Sequence, residues 1–138
     1  MKKINFLFIT VATLLFLSCG KTTDKCDEDL ICYTDEPDSL FIELQLSPPP
    51  HNDSVYVEFY IGNADDGELY HSFITNNKKE YFLMPVDRRY SAKAFYRIEQ
   101  DTIVTIDGDR LKVESFKNCE ITCYEWEEDL VFDLKLMN

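Results

Sequence analysis

The chain has 138 residues, of which 45% are hydrophobic and 29% charged, a balance typical of a globular domain rather than a disordered chain. Its 14 basic and 26 acidic residues give a net charge of −12, which disfavours binding to nucleic acid or to an anionic lipid surface. Four glycines and two histidines are too few to favour a nucleotide-binding loop or a histidine-rich metal site, and we predict neither cofactor nor metal.

The first 18 residues have the pattern of an export signal. Lysines at positions 2 and 3 precede a largely apolar stretch at positions 4–17, which is too short to span about 30 Å of hydrocarbon. Ser18 and Cys19 follow, and a small residue before a cysteine resembles the lipobox of bacterial lipoproteins. The resemblance implies that residues 1–18 are a removed signal peptide and that Cys19 is acylated and anchors the chain to a membrane. An ordinary secreted protein, cleaved elsewhere, is the alternative.

The residues after Cys19 predict the location and the organisation of the mature chain. An aspartate in place of Gly20 would resemble the inner-membrane retention signal of enteric bacteria, so glycine favours the outer membrane. The leader resembles those of Bacteroidota lipoproteins. Without the two leader lysines the mature chain carries 12 − 26 = −14 charges. We predict a lipidated tether with two cysteines at residues 19–38 and one folded domain at residues 39–138.

The odd number of cysteines supports the interpretation of the chain as a lipoprotein. Of five cysteines, acylation of one leaves four, namely Cys26, Cys32, Cys119 and Cys123. In an oxidising compartment these four allow two disulfides in three connectivities, which the sequence leaves open. A zinc site is the alternative, but neither cysteine pair has the tight C-x2-C spacing. Bridges between the two ends of the chain would close loops of roughly 90 residues and stabilise the fold by a few kcal/mol.

From residue 40 onward, apolar and polar side chains alternate with a period of two, which is typical of half-buried strands. Such runs lie at residues 40–46, 55–61, 90–98 and 130–136, and shorter apolar runs lie at residues 69–75 and 81–84. No stretch keeps a helical period long enough to predict a helix. Because turn-forming residues recur every 8–12 residues or so, we predict an all-β antiparallel sandwich of about seven to nine strands. A small barrel is the alternative.

The strongest turn signal is Asp107-Gly108, since Asp-Gly favours the type I′ turn of a two-residue hairpin. We therefore predict a hairpin that joins strands at residues 102–106 and 111–116. Residues 63–67 and 76–79 are also rich in turn formers and predict connections between strands.

A family resemblance covers about residues 55–98. Residues 82–94 (FLMPVDRRYSAKA) resemble a segment of carboxypeptidase-regulatory-like, prealbumin-like sandwiches, in which a turn precedes a strand that opens with a buried tyrosine. Residues 73–81 resemble the preceding hairpin of that family. The resemblance implies an immunoglobulin-like or transthyretin-like sandwich that serves as an accessory or binding module. It carries over no catalytic residue.

Candidate catalytic groups are few. His51 and His71 are the general-base candidates near neutral pH, and no G-x-S-x-G motif accompanies them. Carboxylate pairs are so frequent in this acidic chain that none of them is distinctive. A loop at residues 63–68, with Asn63, Asp65, Asp66 and Glu68, offers oxygen ligands for calcium without EF-hand spacing. We predict no catalytic residue.

Aromatic side chains provide the remaining candidate. Tyr56 and Tyr60, with Glu58 between them, lie opposite the apolar face of the strand predicted at residues 55–61. They form either a stacking platform for sugar rings or pairs with neighbours across the strands. Trp126, close to the last two cysteines, is predicted to cap the core rather than contact a ligand.

The leading functional prediction is a non-enzymatic, membrane-anchored lipoprotein of the cell envelope that acts as a structural or protein-interaction module. One alternative is a carbohydrate- or peptide-binding lipoprotein that uses Tyr56 and Tyr60. Another is an envelope hydrolase with an unrecognised carboxylate site. The predicted partners are the membrane, through the lipid anchor, and an envelope protein or a glycan, but not nucleic acid.

Overall fold

The structure is a computed structural model that describes residues 26–48 and 54–137, and it confirms the all-β prediction. These residues contain no helix, so none of their segments is a helix able to cross a membrane. Their nine strands are β1 (Ser39–Gln45), β2 (Val55–Ile61), β3 (Glu68–Thr75), β4 (Lys79–Pro85), β5 (Arg88–Ile98), β6 (Asp101–Leu111), β7 (Glu114–Asn118), β8 (Ile121–Glu125) and β9 (Asp129–Asp133).

Seven of these strands form two sheets that pack face to face as a sandwich. The three-stranded sheet has the order β4-β1-β9, and the four-stranded sheet has the order β3-β2-β5-β6. Neighbouring strands are antiparallel except for β1 and β9, which run parallel with Ile42 opposite Leu130. Strands β7 and β8 form a separate antiparallel hairpin.

The core lies between the two sheets and follows the period-two alternation of the strands. Phe59 on β2 occupies its centre: its ring stacks on Phe82 of β4 with 4.9 Å between centroids and lies 6.4 Å from Phe132 of β9. These contacts join the two sheets, and burying such large apolar rings is a major source of stability. The buried core residues are Leu40, Ile42, Leu44, Leu46, Val55, Val57, Phe59, Met84, Tyr90, Ala92, Ala94, Tyr96, Leu111, Phe132 and Leu134.

Two disulfides tie the segment before β1 to the β7–β8 hairpin. Cys26 pairs with Cys119 and Cys32 pairs with Cys123, with Cα–Cα distances of 5.3 and 5.0 Å. Of the three connectivities open to the sequence, the structure therefore has one that joins the two ends of the chain. The segment also pairs with the hairpin through its backbone, because the N–H of Tyr124 donates to the carbonyl of Tyr33 at 2.8 Å. We call the two disulfides together the disulfide clamp.

The hairpin predicted at Asp107-Gly108 is wrong. Both residues lie inside β6 and pair with β5, with Gly108 opposite Ser91. A Cβ added at Gly108 would lie 2.5 Å from the Cβ of Ser91, so glycine is needed here for the close approach of two strands. The turn between β5 and β6 instead lies at residues 99–100, where Glu99 has a positive φ of 56°.

Tyr90, the third residue of β5, is buried. Tyr90 follows a turn at residues 86–87, in which Asp87 has a positive φ of 60°. Its hydroxyl donates to the carbonyl of Pro85 at 2.7 Å, so the polar tip of this buried ring is satisfied.

Candidate functional site

An exposed apolar row crosses the outer face of the four-stranded sheet. Strand register aligns Tyr56 of β2 with Ile74 of β3 on one side and with Phe95 of β5 on the other, and Phe95 in turn pairs with Val104 of β6. Ile74 is 68% exposed, Val104 43% and Tyr56 38%. Because adjacent strands lie about 4.8 Å apart, the row is about 14 Å long. Contiguous exposed apolar side chains of this kind mark interaction sites more often than single ones do.

Both predicted tyrosines lie on this face and share one acceptor. The hydroxyl of Tyr56 donates to Oε1 of Glu58 at 3.2 Å, and the hydroxyl of Tyr60 donates to Oε2 of the same carboxylate. The hydrogen bond to Glu58, followed by burial and by the negative charge of Glu58, raises the pKa of Tyr60 to about 12. Tyr60 therefore stays protonated at neutral pH, and a shared carboxylate holds both rings in place.

The two tyrosine rings differ in what covers them. The ring of Tyr56 lies 5.4 Å from that of Phe95, with the planes tilted by 43°. The ammonium of Lys93 lies 5.5 Å from the centroid of the Tyr60 ring and 3.6 Å from a carboxylate oxygen of Asp65. The aromatic pair on this face is therefore Tyr56, which is exposed, with the half-buried Phe95 rather than with Tyr60. Sequence reasoning did not single out Phe95, although its outward position in the alternation of β5 was the available signal.

A shallow groove of about 510 Å³ lies beside the part of the row from β3 to β5. Its walls include Ile74, Tyr56 and Phe95, and its polar groups include the carboxylate of Glu58 and the guanidinium of Arg97. A groove lined by apolar side chains with a few polar groups among them has the usual composition of a binding site.

The same face is locally basic on an acidic protein. Four of the chain's 14 basic residues occupy outward strand positions of β5 and β6, namely Arg89, Lys93, Arg97 and Arg110. The acidic residues on this face are Glu58 of β2 and, from the β2–β3 loop, Asp65 and Asp66, which line a cleft with Arg89; Asp65 is ion-paired with Lys93. Basic side chains outnumber these acidic ones four to three, against 14 to 26 in the whole chain, so the face is less acidic than the rest of the protein.

The outer face of the three-stranded sheet carries a buried carboxylate. Glu43 of β1 accepts hydrogen bonds from the Lys79 ammonium at 2.7 Å, from the Tyr81 hydroxyl at 2.8 Å and from the Gln45 amide at 2.7 Å. Lys79, then Tyr81 and Gln45, lower the pKa of Glu43 from 4.5 to about 2. A carboxylate held ionised in this way is unsuited to act as a general acid, because that role needs a raised pKa.

The environment of Glu43 predicts a loss of stability in acid. Its folded pKa lies below its ordinary value, so its stabilising effect is complete above pH 4.5 and is lost as the pH falls to about 2. We expect thermal melts of the native chain and of Glu43→Gln to differ by a constant amount above pH 5, and by progressively less between pH 4.5 and 2. A difference that is the same at pH 7 and pH 2.5 would contradict this assignment.

The other candidate residues lie apart from this face. His71 on β3 is exposed, and its ring stacks on Phe73 at 5.5 Å between centroids. Trp126 is half-buried against the core, 5.0 Å from the Tyr33 ring, as its predicted capping role requires. His51 and the lipidation candidate Cys19 lie outside the described residues.

The oxygen-bearing residues of the loop at 63–68 do not gather into a cluster. Asp65 pairs with Lys93, and the amide of Asn63 donates to Asp66 at 3.2 Å. Throughout the described part of the chain, no group of three or more histidine, cysteine or acidic residues is placed to hold a metal ion.

Fold and surface together define an all-β sandwich with a disulfide-clamped N-terminal segment and with exposed apolar side chains on the outer faces of both sheets. Comparisons with protein-family models, curated proteins and solved structures find no match to this chain.

Proposed function

We propose that this chain is a lipid-anchored, non-enzymatic lipoprotein of the bacterial outer membrane that binds another envelope protein through the outer face of its four-stranded sheet. The observation that carries the proposal is the exposed apolar row Ile74–Tyr56–Phe95–Val104, flanked by basic residues on an otherwise acidic protein.

The composition of the face indicates the chemistry of the partner. Protein interfaces commonly have an apolar centre and a polar rim, and aromatic residues supply much of their affinity. Here Tyr56 is held by Glu58 and by the Phe95 ring, so little side-chain freedom remains to be lost on binding. The surrounding arginines and lysine favour a partner surface that is apolar in its centre and acidic at its edge.

Cysteine pairing supports the proposed anchor. The two disulfides use Cys26, Cys32, Cys119 and Cys123. Of the five cysteines in the sequence, Cys19 alone is left for acylation. Several acyl chains on one residue would hold the domain firmly at the membrane, since each buried CH₂ contributes about 0.8 kcal/mol.

The experiment that tests this function is cross-linking of the intact lipoprotein in its native envelope, followed by mass spectrometry. We expect a stoichiometric protein partner that is lost in Tyr56→Ala/Phe95→Ala. The matched control is Phe41→Ala/Leu83→Ala on the outer face of the other sheet, where both side chains are also exposed and paired across strands. The control variant should keep the partner. Recovery of no partner above background, or equal loss in both variants, would refute the proposal.

Carbohydrate binding is the second candidate, because one groove brings together the Tyr56 and Phe95 rings, the Glu58 carboxylate and the Arg97 guanidinium. The rings would stack on sugar faces, and the two charged groups would bond their hydroxyls. In a glycan array followed by calorimetry, we expect Tyr56→Ala/Phe95→Ala to weaken glycan binding by about tenfold or more, at about 1 kcal/mol or more per lost ring contact. The melting temperature should be almost unchanged. Among the described residues, no comparable arrangement of side chains supports the alternative of an envelope hydrolase.

A further inference from the structure

Among the described residues, one cation on the outer face of the four-stranded sheet has no partner. Arg89 and Arg110 each donate to a backbone carbonyl, at 3.3 and 3.2 Å. Lys93 is ion-paired with Asp65 at 3.6 Å. Arg97, the fourth basic residue of the face, is exposed and forms no hydrogen bond or ion pair with any described residue, although the chain has 26 acidic residues. Its guanidinium is therefore available to bind an anion.

Arg97 lies at one end of the groove together with two hydroxyl groups. Thr102 of β6 lies directly opposite Arg97, and Ser54 lies two residues before Tyr56 on the other side. Both hydroxyl residues line the groove and are exposed, and neither takes part in a hydrogen bond within the described part of the chain. This end of the groove therefore offers a planar guanidinium flanked by two hydroxyl donors, which suits the two oxygens of a carboxylate.

The carboxylate of the groove itself lies at the opposite end and is already satisfied. Both oxygens of Glu58 accept hydrogen bonds from tyrosine hydroxyls, and its backbone lies opposite Lys93. The Tyr56–Phe95 pair separates the two ends, so Arg97 and Glu58 are four residue steps, or about 14 Å, apart along the strands. The groove thus has a free donor end, an apolar middle and an acidic end that needs no further donor.

The distance from the apolar row to Arg97 matches the repeat of an extended peptide. Arg97 lies two residues beyond Phe95 on the same face of β5, which is about 6.8 Å along the strand. In an extended peptide, side chains two residues apart lie on one side and are separated by the same distance. A peptide that places an apolar side chain over Tyr56 and Phe95 therefore brings an acidic side chain two positions away to Arg97.

We infer that Arg97 binds a carboxylate of the partner protein, in an extended segment whose acidic residue lies two positions from an apolar or aromatic one. The inference rests on the proposed function, because it names the chemistry of the partner at the same face. With a net charge of −12 the chain repels acidic proteins in general. The one unpaired arginine of the groove then favours partners that place a carboxylate at this position over those that do not.

The first test repeats the cross-linking in the native envelope with Arg97→Glu. We expect about tenfold less captured partner than with the native chain, because the reversed charge repels the carboxylate. The matched control is Arg88→Glu, which makes the same change at an exposed residue of β5 that lies opposite the buried Leu111, on the other face of the strand. The control variant should capture as much partner as the native chain.

The second test measures the contribution of the carboxylate directly with synthetic peptides. Short peptides, blocked at both ends, carry a central phenylalanine and differ only in having glutamate or glutamine two positions before it or two positions after it. Fluorescence anisotropy with the full acylated chain in nanodiscs gives their dissociation constants. We expect the tighter-binding glutamate peptide to bind about fivefold more tightly than its glutamine counterpart, and this difference to vanish in Arg97→Gln.

The outcomes separate this inference from the proposed function. Recovery of no partner with the native chain would refute both. A partner that is lost in Tyr56→Ala/Phe95→Ala but kept in Arg97→Glu would overturn the inference alone. Equal losses in Arg97→Glu and Arg88→Glu, or glutamate and glutamine peptides that bind alike, would also overturn it. Binding of oligogalacturonate that depends on Arg97, without binding of the peptides, would assign the groove to an acidic glycan and overturn the protein carboxylate.

Discussion

Removing either disulfide of the clamp alone is expected to lower the free energy of unfolding by less than the further loss that follows when the remaining disulfide is removed as well. Cys26–Cys119 and Cys32–Cys123 span 93 and 91 residues, and a loop of that length is stabilised by about 4.7 kcal/mol through the lost entropy of the unfolded chain. The bonds interleave along the chain, however. With one bond in place, the other closes a circuit of only about ten residues and contributes about 3 kcal/mol.

The losses of unfolding free energy in the two single-bond variants should therefore sum to less than the loss in the variant that lacks both bonds. Cys26→Ser/Cys119→Ser and Cys32→Ser/Cys123→Ser should each lose about 3 kcal/mol of unfolding free energy, and the variant without either bond about 7–8 kcal/mol. Since small domains are stable by about 5–15 kcal/mol, that variant should be close to unfolded at 37 °C. Urea titrations of the three variants measure this, with the native chain under reductant as a check. Losses of about 4.7 kcal/mol per bond that simply add would contradict the interleaved pairing.

Phe59→Ala should be the most damaging single substitution in the sandwich. The ring is fully buried, and it stacks on Phe82 and lies 5.9 Å from Tyr90 and 6.4 Å from Phe132, so it contacts both sheets. Truncation of such a ring leaves a cavity that the neighbours cannot fill, at a cost of about 3–5 kcal/mol.

The control is Phe41→Ala, which removes the same side chain from the outer face of β1, where Phe41 is 49% exposed. It should cost about 1 kcal/mol or less, because little buried contact is lost. Chemical denaturation midpoints of the two variants give the comparison. Equal losses would show that Phe59 is not the point at which the two sheets are joined.

The strands that form the sandwich could be predicted because their signal is local. Alternation along residues 40–46 or 90–98 depends only on which side of a strand is buried, and the strands β1 and β5 follow it. The hairpin β7–β8 lacked such a signal, since Glu114 and Lys117 make β7 polar and a disulfide from a distant segment holds the hairpin. The turn at Asp107-Gly108 was predicted wrongly for a similar reason. Glycine is needed at position 108 because the neighbouring strand β5 approaches closely there, and the local sequence does not show that approach.

The candidate site could be predicted only in part. A period of two is enough to place Tyr56 and Tyr60 on the same face of β2. The pairing of Tyr56 with Phe95 depends on the register between β2 and β5, which alternation does not determine. That β3 ends its sheet is a matter of strand order, and strand order is set by packing between distant parts of the chain.

The disulfide clamp also determines how the domain responds to mechanical force. Under the proposed anchoring, a pull between the membrane and the C-terminal strand β9 enters the domain seven residues after Cys19, at Cys26. From there it crosses covalently to Cys119 and bypasses the intervening residues. Even if every strand between Cys32 and Cys119 unfolded, those 86 residues, about 290 Å when extended at about 3.4 Å each, could not lengthen the connection. For a load applied at β9, the domain is thus a short, nearly inextensible link to the membrane.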